Sequence, residues 1–352
     1  MIYLNSKEYC NEIKMLSEEK IPYIKLKNKS ILITGASGLI GSFIVDTIMY
    51  MNEHDLNCNV YALGKREKCP DQFKKYLDNK NFRYISHDVN NELFFDDNID
   101  YILHLASNTH PVQYASSPIS TILTNVIGTK NLLEFGVKKN IKRFLFASSV
   151  EVYGGNRGDT ELFDENYCGY INSNTLRAGY PESKRCGEAL CQAYAEEKQI
   201  DVVIARLSRI YGPTLLKDDS KAMSQFIFKA LKKEDIILKS EGNQHYSYLY
   251  VYDAAFGIFV TLLLGENKEA YNISYPETDI KLRDVAEAVA KYACTKVVFE
   301  IPNDIERKGF SGAINSRMSN DKIKKIGYEP RFDVETGIKR TIDILREINK
   351  EV

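Results

Sequence analysis

The sequence carries no surplus of either charge: Lys+Arg number 47 against Asp+Glu 48, a formal net charge of -1. Without a global basic field, nothing draws the chain to a nucleic-acid backbone, although one phosphorylated metabolite needs only a few local cations. Cysteine pairs are missing too. The seven cysteines (Cys10, Cys58, Cys69, Cys168, Cys186, Cys191, Cys294) are odd in number, scattered and without a Cys-x-x-Cys, which argues against a disulfide framework and a structural zinc site. No His/Cys/Asp spacing reads as a metal site of another kind. Long apolar runs are also lacking: the strongest, 258–264, is far short of the ~20 residues that span a bilayer. The opening segment MIYLNSKEYCNEIKMLSEEK has charges every few positions where a signal peptide needs an uninterrupted apolar stretch. The expectation is a cytoplasmic protein with neither a membrane nor a nucleic-acid partner.

What is present is globular. The chain has 352 residues, 44% hydrophobic and 27% charged, enough for a large core and, at roughly 100–200 residues per domain, for about two domains. Residues 1–28 are polar with sparse apolar positions (Ile13, Leu16, Ile21) and predict a helical extension. SILITG then reads as a strand, LIGSFIVDTIMYMNE as a helix and CNVYALG as a second strand, a βαβ unit. Further strands are expected at 83–89, 101–107, 143–149 and 202–208, with helices at 118–140 and 181–198. Strands alternating with helices imply an α/β, Rossmann-type doubly wound parallel sheet that binds ligands at the carboxyl ends of its strands. Beyond Gly212-Pro213 the segments shorten: a helix near 224–233, a strand near 246–251, a helix at 254–264 and an amphipathic helix from Val334. This divides the chain into a dinucleotide-binding domain, 29–212, with 242–265 and 333–352 packing back on it, and a smaller C-terminal substrate-binding lobe of 213–241 and 266–332.

TGASGLIG places Gly35, Gly38 and Gly41 directly after the first strand and at the opening of the first helix. Gly35 permits a tight turn, Gly38 lets backbone amides approach a pyrophosphate and Gly41 lets helix and strand pack closely. The helix amino terminus, with Ser37, Leu39 and Ile40, faces the phosphates. Where NAD-binding chains carry an acid for the adenosine ribose, this one has Gly64, Lys65 and Arg66. Two cations suit a 2′-phosphate and hence NADP, but they could equally be solvated loop charges, so the residues leave NAD and NADP open. Asp88 and Val89 are placed to border the adenine, and Leu105, Ala106 and Ser107 end the fourth strand beside the cofactor.

Tyr180 and Lys184 lie four residues apart on one helical face. A phenol is a weak base at neutral pH, but a neighbouring ammonium and a bound nicotinamide cation favour the phenolate; Lys184 could also hold the nicotinamide ribose. The pair follows a fifth strand ending FASSVEVYG, which offers the Ser149 hydroxyl. Across residues 30–345 the ordered motifs TGASGLIG, HLAS, NVIGTKNLLE, SSVEVYG, YPESK, RLSRIYGP and YLYVYDAA make the chain resemble the extended short-chain dehydrogenase/reductase superfamily, in its nucleotide-sugar epimerase/dehydratase branch.

That resemblance implies Ser149, Tyr180 and Lys184 as catalytic residues, Asn125 as a supporting helix residue, and oxidation of the sugar at C4 to a 4-keto intermediate. It implies NAD as the cofactor, a nucleotide-diphosphate sugar as substrate, a role in surface-polysaccharide synthesis, and a homodimer built on the helices near 118–138 and 181–198. Glu151 stands where relatives that dehydrate or decarboxylate the 4-keto sugar carry a glutamate. Val150 stands where one group of 4,6-dehydratases carries an aspartic acid. The combination favours decarboxylation of a UDP-glucuronate-like substrate or an alternative 4,6-dehydration, with 4-epimerisation third and a net NADPH-dependent reductase as a further alternative. Two departures concern substrate phosphates: Arg209 replaces a usual asparagine, and Tyr246 replaces an arginine. Arg209 is expected to take over the diphosphate contact, with Arg307 as a further phosphate candidate. His104 reads as the end of a buried strand, and His110 and His245 as residues bordering the substrate pocket.

Overall fold

The computed structural model describes residues 3–109, 116–216, 219–300, 302 and 314–350. It opens with α1 (Lys7–Ser17), capped by Ser6, whose hydroxyl accepts from the Tyr9 amide at 3.3 Å. The βαβ unit follows as β1 (Ser30–Thr34), α2 (Leu39–Asn52) and β2 (Asn59–Gly64). Then come β3 (Phe82–Ser86), β4 (Tyr101–His104), α3 (Pro118–Lys139), β5 (Arg143–Ser149), α4 (Gly179–Lys198) and β6 (Val202–Leu207). After the short β7 (Arg209–Tyr211) come α5 (Ala222–Leu231), β8 (Ile236–Leu238), β9 (His245–Tyr250), α6 (Val251–Leu264) and β10 (Ala270–Ile273). The chain continues through β11 (Asp279–Lys281), α7 (Leu282–Ala293), β12 (Val297–Phe299), β13 (Asn315–Ser316), α8 (Asp321–Lys324) and α9 (Val334–Lys350).

Seven strands form one sheet in the order β10-β6-β5-β4-β1-β2-β3, and every neighbouring pair is parallel. β1 is buried at every position, as a strand covered by helices on both faces must be. That is why SILIT reads as a continuous apolar run rather than an alternating one. The sheet is therefore the doubly wound one, and the carboxyl ends of β1, β4 and β5 bring their following loops to one edge.

Three expectations need correction here. β4 ends at His104, so Leu105, Ala106 and Ser107 lie in the loop after it rather than at the end of the strand. β3 ends at Ser86 rather than Val89: the next residues bend into a turn in which the His87 amide donates to the Gly64 carbonyl and the Asn91 amide to Asp88. Residues 270–273, assigned to the smaller lobe, instead form the seventh strand of the main sheet alongside β6. The reason lies in partners far along the chain: Asn272, a polar residue in a buried strand, donates from its side chain to the Phe163 carbonyl and accepts from the Tyr153 hydroxyl at 2.6 Å, so a break in the hydrophobic pattern is satisfied internally.

A second sheet runs β11-β9-β13 with β7 on β9, and β8 pairs with β12. The amino-terminal helix is stitched across both regions. Tyr9 donates to Asp46 of α2 at 2.9 Å, and the buried Glu12 accepts from Tyr250 of β9 and from Arg340 of α9, the latter at 3.0 Å. No described helix is long and apolar enough to cross a membrane.

Candidate active site

The glycine-rich turn follows β1. Gly35 has φ +66°, and a Cβ there would lie 2.9 Å from the Ala106 backbone; a Cβ on Gly41 would lie 2.4 Å from the Gly35 carbonyl oxygen. The turn is thus packed to backbone contact against the loop after β4, where the Ala106 amide donates to Thr34 at 3.2 Å. Gly38 caps α2 in extended conformation without a side-chain cap, so the first-turn N–H groups of Leu39, Ile40 and Gly41 present the positive end of the helix with no Cβ in front of it. This is a cradle that fits a dinucleotide pyrophosphate. Gln72 steadies it, donating to the Ser37 carbonyl at 3.3 Å and to Ser42 at 2.7 Å.

At the end of β2, Lys65 pairs with Asp88 at 3.2 Å, while the Arg66 carbonyl accepts from Tyr84. A carboxylate from the turn after β3 thus stands directly against one of the two cations. Val89 is buried beneath Gly128 of α3, and its carbonyl accepts from Asn131 at 3.0 Å. Leu105 and Ala106 lie between the glycine turn and Ser107, which donates to Asn125 Oδ1 at 2.8 Å.

Tyr180 and Lys184 sit in the first turns of α4, both buried. Asn125 holds that turn from α3: its Nδ2 donates to Ser183 at 2.9 Å, and Ser183 in turn donates to the Tyr180 carbonyl at 2.8 Å. Lys184 Nζ donates to the Ala147 carbonyl of β5 at 2.7 Å. Burial lowers its pKa to about 7, with Glu188 opposing. Burial pushes the Tyr180 pKa up to about 12; the Ser149 and Ser107 hydroxyls and the Arg177 guanidinium work against this, and the Glu151 carboxylate adds to it. The spacing of Tyr180 and Lys184 suggests the lysine as the phenol's cationic neighbour, yet Lys184 turns to a carbonyl and it is Arg177 whose charge favours the phenolate.

Glu151 lies in the helical turn after β5, held by Arg177 Nη2 at 2.8 Å, with Arg209 Nη2 3.7 Å from its other oxygen. Arg209 stacks on Tyr246, its guanidinium carbon 3.8 Å from the ring centre. The arginine gained and the tyrosine put in place of an arginine are thus one unit. Val150 is buried. His104 bridges Thr34 and Thr129 at 2.8 and 3.1 Å, and burial drops its pKa to about 3, a neutral strand-end residue. Arg307 and His110 lie outside the described residues, and His245 opens β9 half-buried. Sequence reasoning overlooked Arg177, which belongs to no motif; its only signal is a cation three residues before Tyr180.

Comparisons with known proteins bear on the family and the fold. The chain is 32% identical over 349 residues to UDP-glucuronic acid decarboxylase 1 of Danio rerio, covering 96% of this chain and 78% of that one. It is 33% identical over 317 residues to UDP-glucuronic acid decarboxylase 6 of Arabidopsis thaliana, covering 88% and 87%. Its fold superposes on a dTDP-glucose 4,6-dehydratase from Streptomyces venezuelae with a TM-score of 0.77 at 22% identity, covering 92% of this chain and 98% of that one. A UDP-glucuronic acid 4-epimerase from Bacillus cereus gives 0.76 at 21%, covering 91% and 99%. The sequence profile that spans residues 31–274, from the first strand of the sheet to its seventh, is that of the NAD dependent epimerase/dehydratase family, and the chain belongs to it.

Proposed function

We propose that the protein is an NAD-dependent enzyme acting on a nucleotide-diphosphate sugar through a 4-keto intermediate, and that its reaction is decarboxylation of a UDP-glucuronate-like substrate. The observation that carries this reading is the Glu151 carboxylate fixed by Arg177 at 2.8 Å, with its charge felt by the buried Tyr180. The named activity of the curated relatives supports it. Gly35, Ser37, Gly38, Leu39, Ile40 and Gly41 would hold the pyrophosphate, Asp88 and Val89 the adenosine side, and Leu105, Ala106, Ser107 and Lys184 the nicotinamide side. Asp88 against Lys65 favours NAD over NADP, because the carboxylate repels a 2′-phosphate and occupies the cation that would bind it. When bound there, NAD supplies reversible hydride exchange with C4 of the sugar.

Ser149 and Tyr180 receive the C4 hydroxyl, and Tyr180 takes its proton. The C4 ketone makes the C6 carboxylate a β-keto acid; when the C5–C6 bond breaks, its electron pair is taken up by the C4 oxygen. Ser149 and Tyr180 hydrogen bond to that developing oxyanion. Glu151 stands ready at the C5–C6 side. Val150, buried and without a proton, cannot assist a leaving hydroxyl, which places dehydration second.

Arg209 is assigned the diphosphate, its guanidinium already braced by Tyr246. A homodimer is assigned to α3 and α4: Ile119, Ile122, Leu123 and Ile127 are exposed on one face of α3, beside the exposed small residues Cys186, Ala189 and Ala193 of α4. A cytoplasmic location fits the seven unpaired cysteines. Mass spectrometry of products from a panel of nucleotide sugars tests the reaction. Loss of carbon dioxide from UDP-glucuronate is expected; loss of water from a nucleotide hexose, or no change of mass, refutes decarboxylation.

A further inference from the structure

Arg177 occupies the single helical turn Leu176–Ala178, which runs directly into α4 three residues before Tyr180. It joins the loop before α4 to the turn after β5, beside the contacts that Lys184 and Glu188 of α4 make with β5 itself. Its Nη2 donates to Glu151 Oε2 at 2.8 Å, and the other carboxylate oxygen faces Arg209 at 3.7 Å. The Arg177 and Glu151 side chains are 20% and 19% exposed, so solvent screens the pair far less than a surface ion pair. A partly buried ion pair could serve only to tie the loop down. Its place argues for more: the same carboxylate that stands at the C5–C6 side of the pocket adjoins the phenol that must lose a proton, and an unneutralised anion there opposes that loss.

We propose that Arg177 is a positioning residue of the active site: it fixes the Glu151 carboxylate at the substrate and screens its charge from Tyr180, so that both groups serve one turnover. This rests on the roles given above to Glu151 and Tyr180. Among the described residues, the charged and polar groups facing Tyr180 include Ser107 from the loop after β4, Ser149 and Glu151 from the end of β5, and Arg177. Lys184 lies on its own helix with Nζ 5.9 Å from the ring centre, beside Glu188. Those facing Glu151 are Arg177, Tyr180 and Arg209, the last with Tyr246 behind it. Of these, only Arg177 touches Glu151 and also bears on Tyr180 in the sense that favours its ionisation.

The test uses the whole protein loaded with NAD and UDP-glucuronate, following nicotinamide absorbance in a single turnover across pH. Oxidation at C4 precedes any step that needs Glu151, so it reports Tyr180 even when Glu151 is replaced. In Arg177→Met the acid limb should move to higher pH by roughly one unit, making reduction about tenfold slower on the acid side. Arg177→Lys should stay near the parent, and Arg177→Met combined with Glu151→Gln should return most of the way. If Arg177→Met does not fold, Arg177→Gln carries the same prediction. A uniform loss of rate with an unmoved limb, or a double variant displaced as far as the single one, overturns the proposal. A parent protein that never reduces its cofactor with this substrate overturns the functional reading and the proposal with it.

Discussion

Replacing Gly41 with alanine asks whether the turn after β1 is as closely packed as its geometry says. The new Cβ would lie 2.4 Å from the Gly35 carbonyl oxygen, 2.7 Å from that of Ala36 and 2.8 Å from the Ala36 Cα, where ordinary contact begins at 3.4 Å. All three are backbone atoms, which cannot rotate aside, so the turn must retreat by about 1 Å. Overpacking of this kind costs about 1–3 kcal/mol, while alanine's better helix propensity returns about 1 kcal/mol, leaving a loss of roughly 0–2 kcal/mol. With about 2.1 cal/mol/K of unfolding entropy per residue, a chain of this length loses about 1.4 °C of Tm per kcal/mol. The Tm should therefore fall by at most about 3 °C. The larger effect is on the cofactor. A turn displaced by an ångström no longer aims its amides at a pyrophosphate, and NAD affinity by titration calorimetry should drop at least about tenfold, since 1.4 kcal/mol suffices for that. Gly155→Ala, whose Cβ would meet the Tyr170 carbonyl at an ordinary 3.5 Å, is the control and should change neither quantity. Unaltered NAD binding in Gly41→Ala would refute both the close packing and the placement of the pyrophosphate.

Other outcomes follow from groups farther from the turn. Glu12 is fully buried, and its pKa is raised from 4.5 to about 7. Between those values the folded protein keeps a proton the unfolded chain has lost, so this group's contribution to stability declines as pH rises through the window. Glu12→Gln should accordingly gain in Tm relative to the parent between pH 5 and pH 8, and a difference independent of pH would contradict this. Ile122→Glu on α3 should shift a homodimer to monomer in analytical ultracentrifugation without lowering the Tm of the subunit. Asp88→Asn frees Lys65 and should improve the NADP/NAD affinity ratio; an unchanged ratio would remove Asp88 from cofactor selection.

Legibility in the sequence tracked how far each signal depends on neighbours along the chain. SILITG, with both faces buried, and the glycines after it are local features, and the structure places them where the spacing predicts. The same holds for Tyr180 and Lys184, one turn apart on α4. β10 was not legible, because four residues with an asparagine among them carry no periodicity, and Asn272 is tolerated only through partners 109 and 119 positions away. Arg177 escaped for the same reason: its meaning lies in Glu151, 26 residues earlier, and nothing between them marks the pairing. The Lys65 question was half legible, since the cations are visible but the carboxylate that answers them comes from the next strand's turn.

The position of β10 also decides how the smaller lobe is tethered. The chain leaves the large sheet after β6, comes back to it as α6 and β10, leaves it again through β11 and α7, and touches it once more at α8, where Lys322 donates to Glu269 at 2.5 Å and to the Ala270 carbonyl at 2.7 Å. Segments fastened at several points do not swing together about one joint. Relative motion of these elements would be a small sliding of packed surfaces, and a substitution that loosens one attachment should change it far less than one that loosens two.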